Sequence, residues 1–194
     1  MDTIGWPHNI DMALQFTTSY TEDSRSLFRT YYKRLAEKAM EQVTDEQLLA
    51  TLDGEMNSIA LIVKHLAGNM RSRWTDFLTT DGEKSDRDRD AEFLDPPQTR
   101  ETLLALWDQG WNCMLKALEP LSDADLGRTV SIRGEAHSVM QAINRQLSHY
   151  SYHCGQIVFL AKHLHAEGWQ SLSVPRGRSN EFNRRVEAGE ASQR

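Results

Sequence analysis

The feature that most constrains this chain is the helical recurrence of its apolar residues. Four long segments place apolar side chains three and four positions apart with charges between them, the pattern of helices that bury one face. The first runs from about Asp11 to Val43, where Phe16, Tyr20, Leu27, Tyr31 and Leu35 recur at that spacing. The second spans about Glu55 to Leu78, with Leu52, Ile59, Val63, Leu66, Met70 and Phe77 in one stripe and Trp74 at its edge. The third begins at Thr99, a natural N-cap, and carries Leu103, Trp107, Trp111, Met114 and Leu118 before Pro120 stops it. The fourth opens on a capping box, Ser138 to Gln141, and continues to about His163. Its stripe is Val139, Ile143, Leu147, Tyr150, Cys154, Ile157 and Ala161.

The segments between are less periodic. Thr44 to Gln47 forms another capping box, which predicts a short helix over Gln47–Leu52. Thr79 to Pro97 is charged and turn-rich, with Asp81-Gly82 at one end and Asp95-Pro96-Pro97 at the other. A connection of that length need not join antiparallel neighbours and can cross a bundle. Ser122 to Asp125 reads as a single helical turn, and Thr129 to His137 as a small hairpin around Gly134. Residues 166–194 are polar with little periodicity, a tail that packs on or extends from the domain of residues 1–165. The expectation is an all-α four-helix bundle with a small hairpin before the fourth helix. No heptad runs long enough for a coiled-coil filament.

Composition excludes several classes. With 39% hydrophobic and 26% charged residues the chain has enough apolar content to fold. A net charge of -6 without a basic stripe argues against nucleic-acid binding. Arg176, Arg178, Arg184 and Arg185 gather in the tail, read first as solvated and second as an anion site. Two cysteines are too few for a disulfide scaffold, and nothing approaches the roughly 20 apolar residues of a membrane span. Met1 to Asn9 lacks the basic and apolar regions of a signal peptide, so a cytoplasmic location is expected.

The chemistry concentrates in histidines. His149 and His153 stand four apart, so one helix face carries both imidazoles, as when a single helix presents two ligands of one metal. At about 100° per residue both lie roughly 80–120° from the centre of the apolar stripe, a half-buried flank. His65 on the second helix lies roughly 120° from its own stripe centre by the same count. The plain alternative for each is a polar boundary residue. If the two helices are neighbours, three neutral nitrogens converge in a set that suits zinc, nickel or iron and leaves a position for water or substrate. Asn69, Arg73 and Gln146 lie on the histidine side and are placed to orient a substrate. Cys154 points to the core stripe and reads as an apolar filler. There is no zinc-protease His-Glu-x-x-His, nucleophile elbow or phosphate-binding glycine loop.

The stretches Val63-Lys64-His65-Leu66-Ala67-Gly68-Asn69 and Gln146-Leu147-Ser148-His149-Tyr150-Ser151-Tyr152-His153-Cys154-Gly155-Gln156-Ile157 resemble the DinB-like (DinB/YfiT) superfamily. Within it, Asn69 to Phe77, Asp81 to Lys84, Arg87 to Asp90 and Ser171 to Gly177 are similar to a subgroup of uncharacterised bacterial proteins. The resemblance implies an up-down-down-up bundle with the long crossover between helices two and three. It implies a divalent metal on His65, His149 and His153, zinc first and nickel or iron as alternatives. It also implies a homodimer and a small-molecule substrate of low-molecular-weight thiol type. The leading expectation is a metal-dependent enzyme, a thiol S-transferase or a hydrolase, with no membrane or nucleic-acid partner. A second is a non-catalytic metal-binding or stress-response protein, whose shell an acid such as Glu83 or Asp90 would close. A third is a structural dimer in which the histidines are boundary residues.

Overall fold

The fold was obtained as a computed structural model, and residues 19–165 and 167–192 are described. Helix α1 runs from Tyr20–Ser26 through a π-helical stretch, Leu27–Lys33, to Arg34–Met40. The expected start of this helix, with Phe16 in its stripe, lies outside the described residues. Short α2 is Asp45–Leu49, opened by the Thr44–Gln47 capping box and earlier than the expected span to Leu52. Leu52 is exposed and belongs to no helix.

Helix α3 is Ile59–Trp74, shorter at both ends than periodicity predicts. The Asp53 carboxylate accepts from the N–H groups of Glu55 and Met56, which holds a turn there, and Ser58 then caps the helix through Leu61 N–H. Asp76 ends it by adopting a left-handed φ of 47°. Trp74 is in the core rather than at its edge, because its indole N–H donates to the buried Tyr150 hydroxyl at 2.9 Å. Helix α4 is Arg100–Leu118, capped by Thr99 as expected. Strands β1, Thr129–Ile132, and β2, Glu135–Ser138, pair antiparallel with Ile132 opposite Glu135. The two residues between them, Arg133 and Gly134, both have positive φ, the signature of a type I′ turn. Helix α5 is Val139–His165. The tail contains a further helix, α6, Ser179–Glu187, with no buried residue. Phe182 and Val186 stand four apart and are half-buried, but two apolar residues in a polar stretch of 9 were too few for periodicity to mark a helix.

Contacts between helices define their directions. Residues 20, 25 and 37 of α1 meet residues 123, 119 and 107, so α1 is antiparallel to α4. Tyr20 reaches Asn144, and Phe28 packs on Tyr150 at 5.7 Å, so α1 is parallel to α5. Gly110 faces Ala67, and Cys113 approaches Met70, so α3 and α4 run parallel. This pairing is close, since a Cβ on Gly110 would lie 2.9 Å from Ala67 Cα. His65 faces His153, and Trp74 faces Tyr150, so α3 and α5 are antiparallel. The bundle is therefore up-down-down-up, and two parallel helices require the crossover of residues 75–99. Phe28, Trp107, Trp111 and Tyr150 fill its centre, all essentially inaccessible. No described helix is long and apolar enough to cross a membrane.

A candidate metal centre between two helices

Antiparallel packing of α3 on α5 brings His65, His149 and His153 together, one candidate ligand atom of each lying within 4.8 Å of the others. His65 Nε2 lies 3.3 Å from His149 Nε2. Tetrahedral coordination at about 2.0–2.1 Å separates two ligand nitrogens by roughly 3.3–3.4 Å, so this pair already has the spacing of a shared ion.

The other ring nitrogens set the tautomers. His65 Nδ1 lies 2.8 Å from Glu92 Oε2 and His153 Nδ1 lies 2.8 Å from Gln156 Oε1. Both oxygens accept, so each Nδ1 carries the proton and each Nε2 keeps its lone pair. His153 Nε2 is buried without a protein partner, as is His149 Nδ1. Orphaned nitrogens in a buried cluster are unfavourable unless a ligand takes them up. Burial and the neighbouring imidazoles push His149 down to about 3, and burial foremost pushes His153 down to about 4. All of these properties fit a divalent cation, whose histidine ligands must be neutral with a free lone pair.

His65 and His153 are only 4% and 8% exposed, deeper than the half-buried flank expected from angular position. The crossover supplies the cover. A 3₁₀ turn, Asp90–Phe93, stacks Phe93 on the His65 ring at 4.7 Å and directs Glu92 to its Nδ1. Burial alone would raise the Glu92 carboxyl, but His65 and Arg87 hold it below its ordinary value. Arg87 grips both carboxylate oxygens, Nε to Oε1 at 2.7 Å and Nη2 to Oε2 at 2.9 Å. Gly68 makes the space, since a Cβ there would stand 2.4 Å from Glu92 Oε1.

Glu92 was not among the acids singled out in the sequence. Glu83 is instead engaged by Arg73, Arg87 and Arg133, and the Asp90 side chain is 98% exposed, so neither closes a metal shell. No sequence signal separates Glu92 from its acidic neighbours; only the 3₁₀ turn does. Cys154 is fully buried, and its thiol is pushed up to about 12, as a filler would be. Asn69, Arg73 and Gln146 line a cavity of about 590 Å³ together with His65 and His149. The tail arginines are not among its lining residues.

The helical topology and the histidine cluster define a DinB-like bundle compatible with a divalent metal ion. A solved DinB-like protein from Bacillus cereus ATCC 10987 superposes with a TM-score of 0.55 at 16% identity, covering 69% of this chain and 86% of that one. More narrowly, the chain belongs to the family described as a protein of unknown function, DUF1572, whose model matches residues 15–178. No curated protein matches.

Proposed function

We propose that this chain is a metal-dependent enzyme of the transferase or hydrolase type, holding one divalent ion, zinc first, on His65, His149 and His153. The observation that carries the reading is the pinning of His65 and His153 through Nδ1, which leaves two Nε2 lone pairs facing the cluster. A bound ion would lower the pKa of a thiol or water at its open position. Among the described residues lining the cavity there is no carboxylate to serve as general base. A metal activates a bound thiol or a bound water without such a base; S-transfer to or from a low-molecular-weight thiol is placed first and hydrolysis second. Asn69, Arg73 and Gln146 would orient the substrate. The proposal includes a homodimer, tested by light scattering on the eluting protein. A non-catalytic metal-holding role is the alternative, and it requires a closed shell, which neither Glu83 nor Asp90 provides.

The test is elemental mass spectrometry on tag-free protein beside a His149→Ala/His153→Ala variant. Near-stoichiometric metal in the wild type, lost from the variant, supports the site and names the ion. No metal after loading with zinc, nickel and iron would overturn it.

A further inference from the structure

We propose that the cavity beside the histidines binds a small oxyanion-bearing molecule, a carboxylate or phosphate compound, through Arg73, Arg133 and Arg145. The role of that anion as substrate rests on the metal-site reading above; its binding does not.

Five arginines line the cavity, Arg73, Arg87, Arg89, Arg133 and Arg145, and among the described residues no acidic side chain does. The balancing acids sit behind them. Glu83 meets Arg73, Arg87 and Arg133, while Glu92 is taken by Arg87 and His65. Five guanidiniums against these two carboxylates leave a surplus of three positive charges. Asp90 lies 3.9 Å from Arg89, and its solvent exposure screens that pair. In a concave site such a surplus focuses the field on an anion.

Two buried side chains in the cavity wall each keep one unpaired polar atom. Arg73 is 6% exposed; its Nη1 donates to Gly82 O and Glu83, but its Nε has no partner. Gln146 is 2% exposed and its Oε1 has no partner. Both side chains line the cavity and the smaller pocket beside it, and their unpaired atoms, closed to solvent, leave this wall polar and unsatisfied. Asn69 adds a donor, because the Tyr150 hydroxyl occupies its Oδ1 and leaves the amide nitrogen for a ligand. Arg145 has no hydrogen-bond or ion-pair partner among the described residues. Planar guanidiniums favour the paired oxygens of carboxylate and phosphate. A volume of about 590 Å³ suits a small molecule.

The experiment is calorimetric titration of inorganic phosphate and, separately, malonate, at low ionic strength, into the full-length chain stripped of metal with EDTA and then dialysed free of that polycarboxylate. One saturable site is expected. Arg145→Ala and Arg133→Gly should each weaken it about tenfold, the scale of one charge-assisted hydrogen bond. Arg184→Ala on α6 should leave it unchanged. Both cavity arginines are exposed and glycine suits the positive φ at 133, so the variants keep the fold, which circular dichroism checks. The tighter of the two probes distinguishes a phosphate from a carboxylate ligand. No saturable binding of either, less than a twofold effect in both cavity variants, or an equal loss in Arg184→Ala would overturn the proposal. Because the chain is metal-free throughout, failure of the metal site leaves this result intact, and failure here leaves the metal measurement intact.

Discussion

Gly68→Ala should dismantle the support of His65 without touching a histidine. The new Cβ would lie 2.4 Å from Glu92 Oε1 and 2.7 Å from its Cδ, where ordinary contact begins at 3.4 Å. The carboxylate must therefore retreat by about 1 Å, a distance that breaks hydrogen bonds now 2.7–2.9 Å long. Each charge-assisted bond is worth about 1.5–3 kcal/mol, and alanine inside a helix returns about 1 kcal/mol. Losing one such bond gives a net destabilisation of about 0.5–2 kcal/mol in the metal-free protein, read by urea unfolding in EDTA. Loss of an outer partner of a histidine ligand weakens metal binding by about 10–100-fold. Competition against a chromogenic chelator for zinc measures that term. Glu92→Gln, which keeps the shape and removes the charge, should lose affinity in the same direction. Zinc affinity of Gly68→Ala within twofold of the wild type would refute the claim that Glu92 sets His65.

Three further outcomes follow from the same contacts. His149 and His153 are held below their ordinary value of 6.5, so the unfolded chain binds more protons than the folded one below that pH. In EDTA their contribution to stability should be complete above pH 6.5 and lost as pH falls through about 4 and then 3, with urea midpoints across pH 4–7 as the readout. A midpoint that does not fall with pH would contradict this. Tyr150→Phe strands the buried Trp74 N–H and frees the Asn69 amide, which should cost about 1–3 kcal/mol in urea unfolding. Arg100 donates to the Met40 and Val43 carbonyls at the end of α1 and to Asp45; Arg100→Ala should cost about 1–2 kcal/mol, and an unchanged thermal midpoint would refute the capping role.

The bundle and its histidines were legible because both depend on spacing along one helix. The 3.6-residue pattern survives in Ile59, Val63, Leu66 and Met70, all buried, and the i,i+4 pair needs only the helix to put two imidazoles on one face. Helix ends were less legible. Ser58 and Asp76 bound α3 through a side-chain cap and a left-handed residue, while the apolar pattern ran past both. Glu92 was not legible at all. It stands 27 residues from His65 in a charged segment, and only a 3₁₀ turn distinguishes it from Asp90. Gly68 carries no local signal either, since its role is the volume that Glu92 occupies.

The crossover links the histidine cluster to the arginine-lined cavity beside it. The histidines come from α3 and α5, whose packing is set by the core. Arg87, Arg89 and Glu92 come from the crossover, and Arg133 comes from the hairpin tip. These two irregular pieces are locked together by Asp81. Its carboxylate accepts from Ser131 Oγ and from the N–H groups of Arg133 and Gly134, and these bonds hold it far below the ordinary carboxylate range. The Gly82 N–H adds a bond to the Ser131 carbonyl at 2.8 Å. Moving the hairpin therefore moves the crossover, and with it the partner of His65. A change in the crossover can alter the anion surface and the metal affinity together without disturbing the four-helix core. Asp81→Asn tests this coupling. It should weaken both phosphate binding to the metal-free chain and zinc affinity, while circular dichroism keeps its helical amplitude. Loss of only one of the two would show that hairpin and crossover act independently.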